Sequence, residues 1–97
     1  MMGLDFDSDK VSEICRRNDV AMLGIFGSTA RNEETAQSDI DLLVRFSKRK
    51  SLLALIALEH QLDEALGRKV DLLTEAALSP YLREGIMRDL QVIYAAR

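Results

Sequence analysis

Asp39 and Asp41 stand two residues apart in S-D-I-D-L-L-V, ten residues after a Gly27-Ser28 pair, and Asp71 occupies V-D-L-L, which repeats the local form of I-D-L-L at residues 40–43. On a β-strand, side chains two apart share a face with their Cα atoms roughly 6.5 Å apart, so Asp39 and Asp41 project together while Ile40 and Leu42 enter the core. Such a pair can hold hard cations. Two magnesium ions about 4 Å apart, bridged by carboxylates, are a common arrangement for in-line attack on a phosphate. Asp71, placed beside the second strand, can complete a triad and take the proton of an attacking hydroxyl as general base. Like charges gathered at one strand start are costly without a cation, which favours a metal reading.

Gly27 permits close backbone approach, and the N–H groups that follow it, with the Ser28 hydroxyl, can hold the β- and γ-phosphate oxygens of a nucleotide. Arg31, one turn later, can add a guanidinium contact. Each piece also has an ordinary structural reading. Gly27-Ser28 can be a strand-to-helix turn with a capping serine, Ser38-Asp39 a turn cap beside an Asp41 on a solvated sheet face, and Asp71 a sheet-edge aspartate. It is their conjunction that points to a magnesium-nucleotide site.

The elements that must position these residues follow from periodicity and punctuation. Ser8 or Asp9 is expected to cap a helix to about Arg17, built on Val11, Ile14 and Cys15 and closed by Asn18 in a left-handed conformation. Residues 20–26 (V-A-M-L-G-I-F) read as a buried strand, although run length cannot exclude helix. A short helix is expected over residues 28–31, ended by Asn32, then a polar loop to residue 38. Residues 39–46 form the second strand. Ser51 caps a helix to about Leu66, with Leu55, Leu58, Leu62 and Leu66 on one stripe and Gly67 beyond its end. Residues 69–74 give a third strand, Ser79-Pro80 starts a helix to about Arg88, and residues 90–95 close the chain as a strand. The fold class is α/β (α+β): a small mixed sheet of about four strands with helices against it.

At 97 residues, 1–97 are expected to form a single domain with one modest core. A net charge of −3 argues against a protein that lives by neutralising nucleic-acid phosphates. The basic run Arg45, Lys48, Arg49 and Lys50 is read as solvating a loop. Cys15 is the one cysteine, so it makes no internal disulfide and is expected as a small buried hydrophobe. The start M-M-G-L-D-F-D-S-D-K has neither the basic opening nor the apolar stretch of a signal peptide, and no apolar run reaches membrane-spanning length, so the expectation is a cytoplasmic protein without a membrane partner.

Taken together, Gly27-Ser28, the ten-residue gap, Asp39-x-Asp41 and Asp71 resemble the DNA polymerase β-type nucleotidyltransferase superfamily. The nearest resemblance is to its minimal nucleotidyltransferases, small prokaryotic proteins often paired as antitoxin with a HEPN-domain toxin. It extends over nearly the whole chain, including G-S-T-A-R, S-D-I-D-L-L-V, G-R-K-V-D-L-L-T and L-S-P-Y-L-R-E-G-I. The resemblance implies a polymerase β-like fold in which Asp39, Asp41 and Asp71 ligate Mg²⁺ and Gly27-Ser28 holds the triphosphate of ATP. It further implies transfer of a nucleoside monophosphate to a hydroxyl, with a tyrosine of the HEPN toxin as acceptor in the antitoxin branch. One departure is Asn32 where the family commonly has glycine; asparagine is the next-best residue for a left-handed helix end. Larger relatives add a helical domain that grips the acceptor, so the acceptor surface is expected from another molecule, in a homo- or hetero-oligomer.

Two competing readings stay open: an antitoxin that masks its partner by contact without catalysis, and transfer to a small molecule or RNA end. His60, with Glu59, Gln61, Asp63 and Glu64 around it, is read as part of a solvated helix face. Tyr81 and Tyr94 can stack on a base but are read as core fillers. The apolar start of the long helix, residues 52–58, is either sunk in the core or partly turned to a partner.

Overall fold

The computed structural model describes residues 7–27 and 39–96. Helix α1 (Ser8–Arg17) leads into β1 (Val20–Phe26); β2 (Ile40–Phe46), α2 (Leu52–Leu66) and β3 (Val70–Thr74) follow; a 3₁₀ turn (Glu75–Ala77), α3 (Pro80–Asp89) and β4 (Gln91–Ala95) complete the described chain. Among these residues the sheet has four strands in the order β3-β2-β1-β4. β1 runs antiparallel to β2 and β4, while β2 and β3 are parallel, with α2 as the crossover a parallel pair requires. The expected mixed sheet is present.

Alternation along β2 divides the molecule into two layers. Ile40, Leu42 and Val44 are fully buried on one face beneath α1 and α2, with Val11, Cys15, Leu58 and Leu62. Leu43 points the other way and joins Met22 and Phe26 in a smaller cluster covered by Leu78 and by Ile86 and Met87 of α3. Asp41 and Asp71 share the parity of Leu43 and Leu73, which places the acids on the α3 side of the sheet.

Helix ends follow the capping chemistry with two shifts. Ser51 and Ser79 cap α2 and α3 through their side chains, and Gly67 closes α2 at φ +67°. The cap of α1, however, is Asp7 rather than Ser8 or Asp9: its carboxylate accepts from the Asp9 and Lys10 N–H groups. The left-handed residue after α1 is Asp19 (φ 59°), not Asn18. Asn18 is held otherwise, its amide donating to Ile14 O at 2.7 Å and to Gln61 Oε1 at 3.0 Å, which ties α1 to α2. The basic run after β2 is paired as well as solvated, since Lys50 Nζ lies 2.8 Å from Asp19 Oδ2 and Lys48 joins the same carboxylate. Cys15 is buried, and that burial pushes its thiol up to about 12. The expected helix over 28–31 and loop to 38 lie outside the described residues. No described helix is long and apolar enough to cross a membrane.

Candidate active site

The ladder brings two of the three sequence-predicted acids, Asp41 and Asp71, side by side. Phe26, the last residue of β1, pairs with Asp41, and Asp41 pairs in turn with Asp71 across the parallel strands. Neighbouring strands lie about 4.8 Å apart, so the two aspartates start from adjacent backbone positions. Asp39 precedes β2 by one residue, and the fully buried Ile40 between it and Asp41 fixes their common side. Asp39 and Asp71 are exposed and Asp41 is half-buried.

Gly27 follows directly, at φ +71°. A Cβ there would run into the Asp41 carboxylate, and the left-handed backbone independently disfavours an L side chain. Glycine at the strand end therefore allows backbone and carboxylate to come together. Ser28 and Arg31, the other expected phosphate ligands, lie outside the described residues.

Asp71 is braced from behind by residues that sequence reasoning placed on a solvated surface. Asp63 Oδ1 accepts from the Val70 N–H at 2.7 Å and Glu59 Oε2 from the Leu72 N–H at 3.3 Å, so two acids one turn apart on α2 seal the outer edge of β3 on either side of Asp71. The signal available in the sequence was their i, i+4 spacing. His60, between them in sequence, is exposed as expected.

Among the described residues no three or more histidine, cysteine, aspartate or glutamate side chains are gathered as a ready metal cage. Asp39, Asp41 and Asp71 are thus not drawn together as a trio; Asp41 and Asp71, as register partners, are the close pair. The carboxylate oxygens of Asp41 and Asp71 suit a hard cation and not a soft one, and magnesium takes one or two carboxylates with phosphates and water as its remaining ligands.

Further along the same face a different charge cluster closes the sheet. Glu75 Oε2 accepts from Arg45 Nε at 2.6 Å and Glu75 Oε1 from Arg83 Nη2 at 2.5 Å, joining β2, the 3₁₀ turn and α3. The hydrogen bond from Arg45 holds the Glu75 carboxyl below its usual range, against a smaller opposing effect of desolvation.

Comparison with known proteins shows the family. The nucleotidyltransferase domain family matches residues 8–93. The chain belongs to that family. As a nucleotidyltransferase domain it is 44% identical over 88 residues to a Methanocaldococcus jannaschii protein provisionally named a protein adenylyltransferase, covering 91% of this chain and 95% of that one. It is 37% identical over 78 residues to the protein adenylyltransferase MntA of Thermococcus cleftensis, covering 80% and 79%. In fold, the nucleotidyltransferase resembles a toxin–antitoxin crystal structure with AMP-PNP (TM-score 0.77, 22% identity, 94% of this chain and 75% of that one). It also resembles the structure of a tri-AMPylated Shewanella oneidensis HEPN toxin in complex with its MNT antitoxin (TM-score 0.68, 22% identity, 92% and 70%).

Proposed function

We propose that this nucleotidyltransferase is a Mg²⁺-dependent protein adenylyltransferase that transfers AMP from ATP to a tyrosine hydroxyl of a HEPN toxin and so acts as its antitoxin. The observation that carries this reading is the row Gly27, Asp41, Asp71, which sets a close backbone approach and two carboxylates side by side on an accessible sheet face. The adenylyltransferase names of relatives covered over most of their length support the choice of AMP and of a protein acceptor.

Asp39, Asp41 and Asp71 are the residues that would hold magnesium, Asp41 in the most fixed position because Gly27 and the ladder confine it. When bound, the metal neutralises the polyphosphate and stabilises charge as it moves to the leaving pyrophosphate. The acceptor oxygen attacks the α-phosphorus, the bond from that phosphorus to the bridging oxygen breaks, and pyrophosphate leaves. The hydroxyl proton passes to Asp71, whose exposed carboxylate can reach an acceptor arriving from solvent. Ser28 and Arg31 would orient the phosphates.

The test is incubation with ATP labelled at the α-phosphate, Mg²⁺ and a HEPN-domain toxin from the same genome. Label should appear on the toxin with the native chain and be lost with Asp41→Asn; absence of label, or label unaffected by the substitution, would falsify the reading. Masking by contact alone is the competing reading. It is favoured by Leu52 and Leu53, whose side chains are 70% and 77% exposed at the start of α2. A chain carrying both Asp39→Asn and Asp41→Asn that still silences the toxin in cells would decide for masking.

A further inference from the structure

A groove adjoins the acids on the α3 side. Phe26 and Gly27 form one wall, Tyr81, Gly85 and Ile86 of α3 form another, and the space between measures about 320 Å³. Gly27 belongs both to this groove and to the acid row, because its backbone is what the Asp41 carboxylate lies against. A nucleotide whose phosphates share a cation with the Asp41 carboxylate therefore has its other end within reach of the groove.

Two residues of α3 are left without a part in the packing. Tyr81 is 95% exposed, which rules out the core-filling role expected of it; Tyr94, by contrast, does pack against the main core. Gly85 stands in the helix interior, where glycine is less favourable than any residue but proline. Nothing in the fold requires it there: a Cβ built on Gly85 meets nothing within 4 Å. Tyr81 and Gly85 are four apart, hence neighbours on one side of the helix, and both line the groove. An exposed aromatic ring beside a glycine gives a planar ligand a face to stack on and room at Gly85, with Leu82 and Asp89 completing the lining.

We propose that this groove receives the nucleobase of the substrate nucleotide, stacked on the Tyr81 ring and passing over Gly85. The inference rests on the nucleotidyl-transfer reading above and adds where the base goes. The volume sits at the lower end of ligand pockets, about 300–1,000 Å³, which suits one planar ring system rather than a whole nucleotide. Stacking is tolerant of base identity, so adenine and guanine nucleotides should bind within a few-fold of each other.

Calorimetric titration of the whole chain with Mg·ATP, and separately with magnesium and inorganic tripolyphosphate, tests this. The native chain should bind ATP more tightly than tripolyphosphate. Tyr81→Ala should weaken ATP about fivefold or more and leave tripolyphosphate unchanged. Gly85→Leu should do the same, while Gly85→Ala should raise the melting temperature by a few degrees, showing that the glycine is not kept for stability. Unchanged ATP affinity in both Tyr81→Ala and Gly85→Leu, each folded by circular dichroism, overturns the base site while tripolyphosphate binding leaves the transfer reading standing. Loss of transfer to the toxin at unchanged ATP affinity would also overturn it, since the groove would then serve the acceptor. A native chain that binds neither ligand overturns both proposals.

Discussion

Asp41 of β2 and Asp71 of β3 are direct register partners across the parallel strand pair, two acids set side by side by the strand ladder. Like charges opposite each other on a sheet repel by roughly 0.2–1 kcal/mol. Asp71→Asn should therefore raise the melting temperature in EDTA, by about 1–8 °C for a domain of this size. With Mg²⁺ and ATP in excess the order should invert, because only the native chain gains the full ligand stabilisation. Transfer activity of the variant should fall about 10²–10⁴-fold, the usual worth of a positioned base. Melting curves in the two buffers check the sign; a variant less stable than the native chain in EDTA would mean that the pair is not repulsive.

Gly27 supports a second prediction, that of one substitution with two separable costs. Gly27→Ala places a Cβ against the Asp41 carboxylate at a backbone φ of +71°. The left-handed conformation costs an alanine about 1–2 kcal/mol, so the melting temperature should fall by roughly 4–16 °C. The carboxylate can swing away from the new methyl, which relieves the clash but moves the metal ligand. Activity should thus drop further than the loss of stability explains at a temperature where the variant is fully folded. A variant with native activity per folded molecule would show that the position of Asp41 is not set by Gly27.

Glu75 makes a pH dependence visible. Its folded pKa lies below the ordinary 4.5 because Arg45, and then Arg83, favour the carboxylate. A depressed acid contributes stability that is complete above its unfolded value and lost as the pH falls through the folded one. Both arginines are half exposed, so the network is worth about 1 kcal/mol or less. Glu75→Gln should melt a few degrees below the native chain at pH 7, and the gap should close as the pH falls below the ordinary 4.5 and through the lowered folded pKa. A gap of constant size across that acid range would assign the loss to packing instead of charge.

Strand and helix order was legible because each element carries its own signal: a seven-residue apolar run for β1, D-x-D alternation for β2, Ser-Pro for α3. That Asp71 lies beside the second strand was legible from V-D-L-L, which reads as a strand like I-D-L-L; its register with Asp41 is set by the parallel ladder. What the sequence hid depends on distant parts of the chain. Asn18 looked like a local helix stop, but its amide bonds Gln61, 43 residues away. Tyr81 looked like core because tyrosine often is, but at the start of α3 it is 95% exposed. The start of α2 had two readings, and Leu52, Leu53 and Ile56 are exposed instead of sunk in the core.

The acids of α2 give the last prediction, since a carboxylate facing a strand edge does work that composition does not disclose. Asp63 is the side-chain acceptor for the N–H of Val70, a residue only 1% exposed. Removing an acceptor from a buried donor costs about 1–3 kcal/mol, so Asp63→Ala should lower the melting temperature by roughly 4–24 °C. Glu59→Ala should cost less, because its bond to the Leu72 N–H is longer, at 3.3 Å. Both should expose the β3 edge, so hydrogen exchange at Val70 and Leu72 should quicken ahead of that at Leu42 in the sheet centre. Magnesium affinity should fall with each, because the backbone that carries Asp71 is no longer clamped on both sides. Exchange rates at Val70 and Leu72 that match the native chain would show that the ladder with β2 alone holds Asp71 in place.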